Sequence, residues 1–240
     1  RKSHTMLDDI VQEVKALVES LVSSKLKQVQ QDIEELKRGL NSLSKDIRDN
    51  TGKALLHTLE ATLDSTVTRY ANTLKQWTGK ATASVVYDSY VCPFTDECLF
   101  QMVKDKPNVA IVATTTEGDV FGGFYNVAVT EQKEWFKDPN MFIFSFESHG
   151  RCRTPKRFAA KAERKGDAGV EFFKGDSDGW FVQFWVNGAG GYFLLGNEKS
   201  KTFCYYLSDG FEGIEDTTLT GKTGSSNPHH CTRLVAIQLK

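Results

Sequence analysis

Residues 109–125 read Val109-Ala110-Ile111-Val112-Ala113-Thr114-Thr115-Thr116-Glu117-Gly118-Asp119-Val120-Phe121-Gly122-Gly123-Phe124-Tyr125. The first six residues are apolar or β-branched without a helical period, as expected of a buried strand. Glu117-Gly118-Asp119 has turn chemistry. Val120–Tyr125 then reads as a second strand, and its paired glycines point to close approach by a neighbouring backbone or ring. A hairpin of this kind sets the grammar of the surrounding chain.

Outward from it, further short runs repeat the pattern. Ser84-Val85-Val86-Tyr87, Met141–Phe146, Trp180–Val186, Tyr192–Leu195 and Thr232–Leu239 read as strands, and Thr95–Val103 alone reads as a helix. Many short strands with glycine turns predict an antiparallel β-sandwich with small flanking helices, so the fold class is α+β.

Upstream the grammar changes. Residues 7–78 contain no proline, only Gly39 and Gly52 as glycines, and no aromatic residue before Tyr70. The change falls at Trp77-Thr78-Gly79-Lys80, which divides the chain into a helical segment, 1–79, and a β-rich domain, 80–240. Leu7, Val11, Val14 and Val18 step by four, three and four. Val22 and Leu26 follow by fours, and Val29, Ile33, Leu36, Leu40, Leu43 and Ile47 alternate fours and threes. This is the a/d seam of a coiled coil with one stutter. A helix of that length spans roughly 60 Å and cannot bury its stripe against itself, so oligomers are expected. Leu56, Leu59, Leu63, Val67, Tyr70, Leu74 and Trp77 form a second stripe. Asp49-Asn50-Thr51-Gly52 could turn the chain into a hairpin, whereas the four-residue steps from Thr51 to Val67 favour one long, locally unwound helix.

The 240 residues carry 30 basic and 31 acidic side chains, a balance that gives no global attraction to nucleic acid or anionic membrane. No uninterrupted apolar run is long enough to span a bilayer. Cys92, Cys98, Cys152, Cys204 and Cys231 are odd in number and lack a C-x-x-C pair. They read as reduced thiols of a cytoplasmic or nuclear protein. The opening Arg1-Lys2-Ser3-His4-Thr5-Met6 reads as the start of a fragment or of a processed chain.

Several pieces, in order, carry a family likeness. Val86-Tyr87-Asp88-Ser89 opens it, and Gly118-Asp119-Val120-Phe121-Gly122-Gly123-Phe124 follows. Then come Asp138-Pro139-Asn140-Met141-Phe142-Ile143-Phe144-Ser145, Glu171–Asp176, Gly188–Phe193 and Thr232–Leu239. Over about residues 82–240 the chain resembles the TLDc domains of oxidation-resistance proteins. The resemblance implies a two-sheet sandwich and a role in protection against oxidative stress. In some members it also implies binding to the vacuolar proton pump.

No motif supports catalysis. Ser145, Glu147 and His149 would share one strand face, but no nucleophile elbow surrounds Ser145, which reads as structural. His229-His230-Cys231 and Cys92-x5-Cys98 lack the ligand spacing of a zinc site, and Gly188–Gly191 lacks a Walker lysine and reads as a turn. No metal or cofactor is expected. Arg151, Arg153, Lys156, Arg157, Lys161, Arg164 and Lys165 face a single acid, Glu163, giving residues 151–165 a local charge of +6. That segment is a candidate loop for a polyanion or an acidic partner, nucleic acid included. Cys152, between Arg151 and Arg153, is the candidate redox thiol. The sequence reading is therefore a non-enzymatic, self-associating protein that works through protein contacts. The alternative is a dimerised nucleic-acid-binding protein using the basic loop.

Overall fold

The computed structural model describes residues 12–15, 17–39 and 65–240, in two compact units, Arg1–Ala54 and Leu55–Lys240. In the first unit, 12–15 and 17–39 form helix α1. It is rich in Leu, Val, Lys, Glu and Gln, with short-range pairs such as Lys37–Glu34 at 2.9 Å and Gln28 Nε2–Asp32 Oδ1 at 2.9 Å along its surface. Leu7, Val11, Leu40, Leu43 and Ile47 of the seam, and the 49–52 connection, lie outside the described residues.

The second unit begins, within the described residues, with α2 (Ser65–Thr78). Gly79, at φ +70°, ends it, and its N–H donates to Lys75 O at 2.8 Å, the left-handed cap that glycine tolerates best. The composition break read from the sequence at 79/80 is thus the end of this helix. The compact unit, however, includes α2. The strands and helices that follow are β1 (Ala83–Asp88), α3 (Asp96–Val103), β2 (Val109–Thr115), β3 (Val120–Tyr125), β4 (Trp135–Lys137), β5 (Phe142–Glu147) and β6 (Lys156–Ala159). After a 3-10 turn (Ala162–Asp167) come β7 (Ala168–Phe172), β8 (Trp180–Val186), β9 (Gly191–Gly196), β10 (Cys204–Tyr205), α4 (Leu207–Gly210) and β11 (Cys231–Leu239).

All pairings are antiparallel. One sheet runs β1-β11-β2-β3-β5-β6 and the other β10-β9-β8-β7-β4. Ile111, Ala113, Phe121, Ile143, Leu234 and Ala236 of the first sheet share one buried cluster with Val170, Phe172, Phe184 and Phe193 of the second. Gly123 of β3 makes this contact possible. A Cβ on Gly123 would meet the Phe184 ring at 2.3 Å, and one on Gly122 would meet Ile111 O at 1.9 Å. The opposite face of the first sheet is also covered. There Ala110, Val112, Phe142, Phe144, Phe146, Val235 and Ile237 pack with Val67, Tyr70 and Leu74 of α2. Burial on both faces is why these strands read as continuous apolar runs rather than alternating ones.

The second sheet alternates. Val182, Phe184 and Val186 of β8 are buried while Gln183 and Trp185 are half-exposed. Its outward side carries a row of rings. Trp135–Trp185 centroids lie 5.4 Å apart, Trp185–Tyr192 6.3 Å, Tyr192–Tyr205 5.7 Å and Tyr205–Tyr206 3.9 Å. Glycine again shapes this face, because a Cβ on Gly169 would meet the Trp135 ring at 2.7 Å.

Candidate functional site

The basic segment leaves β5, crosses a bend, forms the sheet-edge strand β6 and ends in the 3-10 turn. Its seven cations do not form one patch of free charge. Arg151 is committed inward. It ion-pairs with Asp119, which is 1% exposed, and donates from Nε to Thr218 O at 3.1 Å and from Nη2 to Leu219 O at 3.2 Å. Arg157 donates from Nη1 to Trp77 O at 2.6 Å, with its guanidinium 5.5 Å from the Phe142 ring centroid. Lys156 donates to Gly213 O at 3.2 Å and sits 5.1 Å from the Phe158 ring centroid. Arg151 ties the preceding bend to Asp119 and the 218–219 segment, and Arg157 and Lys156 tie the edge strand to α2 and to the 210–213 segment. That segment also covers β6 through the Glu212 N–H to Ala159 O bond of 2.9 Å. Arg153, Lys161, Arg164 and Lys165 form no ion pair among the described residues, and they are the charges left for a partner.

Arg151, Cys152, Lys156 and Phe158 line a cavity of about 250 Å³ together with Gly213, Glu215, Thr217 and Thr218. Cys152 is half-buried there, its N–H donating to Ser148 Oγ at 2.7 Å. The candidate thiol therefore faces a cleft, but the adjacent guanidinium is already matched by the Asp119 carboxylate.

Ser145, Glu147 and His149 are not brought together. Ser145 is fully buried, and its Oγ has no hydrogen-bond partner among the described residues. Glu147 accepts from Arg69 of α2 at 2.6 Å. His149, in the left-handed region at φ +50°, places Nδ1 2.8 Å from Asp119 Oδ1. Asp119, at the turn-end of the β2–β3 hairpin, is thus a hub for His149 and Arg151. Sequence reasoning passed over it because its partners are 30 and 32 residues away.

His229, His230 and Cys231 do not converge. His229 is 1% exposed, with Nε2 3.2 Å from Leu194 O, and burial pushes its pKa down to about 4, which keeps the ring neutral. Among the described residues no group of three or more potential ligands could hold a metal ion. The Cys204 and Cys231 thiols are buried and pushed up to about 12 by desolvation, hence inert. Cys92 is buried in the main core cluster, and Cys98 packs against that cluster while half-buried. The glycine run Gly188–Gly191 closes the β8–β9 hairpin.

A helix long and apolar enough to cross a membrane is absent from the described residues. A search of curated proteins returned no match. The family model of the TLDc domain matches residues 61–165, a span that takes in α2, β1, α3 and β2–β6. It contains the paired glycines of β3 and the Asp138-Pro139 turn, whose carboxylate receives the Asn140 N–H at 3.0 Å. The later motifs of the sequence likeness fall beyond that span, on β7, the β8–β9 hairpin and β11. Over residues 61–165 the chain is similar to the TLDc domain family.

Proposed function

We propose that this chain is a non-enzymatic, self-associating TLDc-domain protein of the cytoplasm or nucleus that acts in the response to oxidative stress through protein contacts. In this reading its two sheets form one sandwich, and α1 is a coiled-coil strand. The observation that carries it is the exposure of the α1 stripe. Val14, Val18, Val22, Leu26, Val29, Ile33 and Leu36 are all 45–73% exposed, on a helix with no described residue packed over them. A row of that length on one face is matched by the same row on another copy. The ring row outside the second sheet supports contact with other proteins, because clustered surface aromatics are enriched at interfaces. The family supplies the link to oxidative stress.

A nucleic-acid reading has only Arg153, Lys161, Arg164 and Lys165 to draw on, since the other three cations of the loop hold the fold. Proteins cross-linked to the full chain in cells, with and without peroxide treatment, test the proposal. A partner set that changes with peroxide and includes the chain itself is expected. Recovery of nucleic acid as the main cross-linked species, weakening steeply with salt, would overturn it.

A further inference from the structure

The cavity shared by residues 151–158 and 213–218 is held by hydrogen bonds within and between its two stretches of chain. Arg151 donates from Nε to Thr218 O at 3.1 Å while its guanidinium pairs with Asp119. The Cys152 N–H donates to Ser148 Oγ at 2.7 Å. Within 213–218, the Glu215 N–H donates to Thr218 Oγ1 and the Thr218 N–H to Glu215 O, both at 3.0 Å. Lys156 joins the two stretches through its bond of 3.2 Å to Gly213 O. The cavity is therefore a fixed feature of the fold, not a gap between loose loops.

Its charges are not all matched. Arg151 is balanced by Asp119, which is 1% exposed. Lys156 and Glu215 line the same cavity, and Lys156 Nζ is anchored at Gly213, two residues from Glu215 along the chain. Yet among the described residues they form no ion pair, either with each other or with a third group. Arg151 Nη1 and the Thr217 hydroxyl also have no hydrogen-bond partner among the described residues.

We infer that this cavity is a binding site for a small zwitterion, a free α-amino acid with a polar side chain, held between Lys156 and Glu215. A ligand carboxylate answers the Lys156 ammonium, and a ligand ammonium answers the Glu215 carboxylate. A molecule carrying both brings no net charge into the site. A plain anion such as phosphate would meet the Glu215 carboxylate, and a plain cation would meet Lys156 and Arg151. Size agrees: about 250 Å³ lies below the roughly 300–1,000 Å³ of pockets for drug-sized ligands, which leaves room for an amino acid. Arg151 Nη1 and the Thr217 hydroxyl supply donors for an amide or hydroxyl on the ligand's side chain. Phe158, 2% exposed, gives an apolar wall. The inference depends neither on self-association nor on the link to oxidative stress.

The full chain, titrated with L-glutamine, L-asparagine and L-serine in an isothermal calorimeter, tests it. At least one should saturate a single site per chain at millimolar concentration or below. The same compound without its ammonium group should bind about tenfold more weakly. Glu215→Gln should weaken the amino acid by about the same factor and abolish the preference for the ammonium group. That variant keeps the fold, because the Glu215 carboxylate holds no described residue, and urea unfolding checks this. Bound ligand should also slow alkylation of Cys152 and of no other cysteine, because Cys152 lines the cavity. Binding by none of the three amino acids would overturn the inference. So would a Glu215→Gln variant that binds as tightly as the wild type, or binding that leaves a reactive Cys152 unprotected. The calorimetric comparison decides the matter even where Cys152 is slow to alkylate.

Discussion

Helices α1 and α2 carry the same kind of apolar stripe and meet opposite fates. In α2, Val67, Tyr70 and Leu74 are 5%, 6% and 0% exposed, because the first sheet offers them Phe142, Phe144 and Phe146. Tyr70 stacks on Phe146 at 4.4 Å between centroids, and Trp77 stacks on the same ring at 5.5 Å. In α1 the corresponding residues stand in solvent, Leu36 at 73% and Val29 at 52%. Periodicity therefore states that a helix needs a partner, but not which one. A stripe of three turns ending at Trp77 is short enough for a sheet face to cover, while the longer α1 seam is the one proposed to meet another helix.

The largest effect should come from removing the α2 partner. Phe144 is fully buried between α2 and β3. Phe144→Ala should cost about 3–5 kcal/mol, read from urea unfolding followed by tryptophan fluorescence. All four tryptophans, Trp77, Trp135, Trp180 and Trp185, lie in the second unit, so the signal reports that unit alone. A loss under about 1 kcal/mol would show that α2 does not depend on this ring.

Next in size is an acid effect inside the second unit. The folded pKa of His229, about 4, lies below the ordinary histidine value of 6.5, so the unfolded chain binds more protons. Its contribution is complete above pH 6.5 and is lost as pH falls toward 4, amounting to roughly 3 kcal/mol at most. His229→Gln should flatten the stability slope between pH 6.5 and 4.5. An unchanged slope would assign the acid sensitivity elsewhere. Glu117 is held down to about 2 chiefly by its hydrogen bond from Lys222, so its contribution is lost only as pH falls below about 4.5. It does not overlap the upper part of the histidine window.

The smallest effect tests the other helix. Val22→Glu with Val29→Glu places charge on the α1 stripe, where nothing described covers it. Unfolding of the second unit should shift by less than about 0.5 kcal/mol. A larger shift would show that this stripe supports the second unit directly.

What could be read from the sequence follows the same physics. Strands β2, β3, β5 and β11 of the first sheet were legible because both their faces are largely buried and their apolar runs are nearly unbroken. Strands β4, β6, β7 and β10 were not, being two to five residues long or broken by charge and glycine, as in Lys156-Arg157-Phe158-Ala159 and Ala168-Gly169-Val170. The likeness built on the β3 glycines and Asp138-Pro139 was legible because those residues do local geometric work that leaves a motif. Charge alone misled in one respect. Seven cations in fifteen residues look like one patch, yet Arg151, Lys156 and Arg157 are held by Asp119, Gly213 and Trp77, none of them a sequence neighbour.

The central claim is that the α1 stripe is closed by further copies of the same chain. The mass of the full chain in solution, measured by sedimentation equilibrium at micromolar concentration beside the Val22→Glu/Val29→Glu variant, tests it most directly. The account predicts an integral multiple of the 26.9 kDa chain for the wild type and a monomer for the variant. A monomeric wild-type chain, or a variant that associates as fully as the wild type, would contradict it.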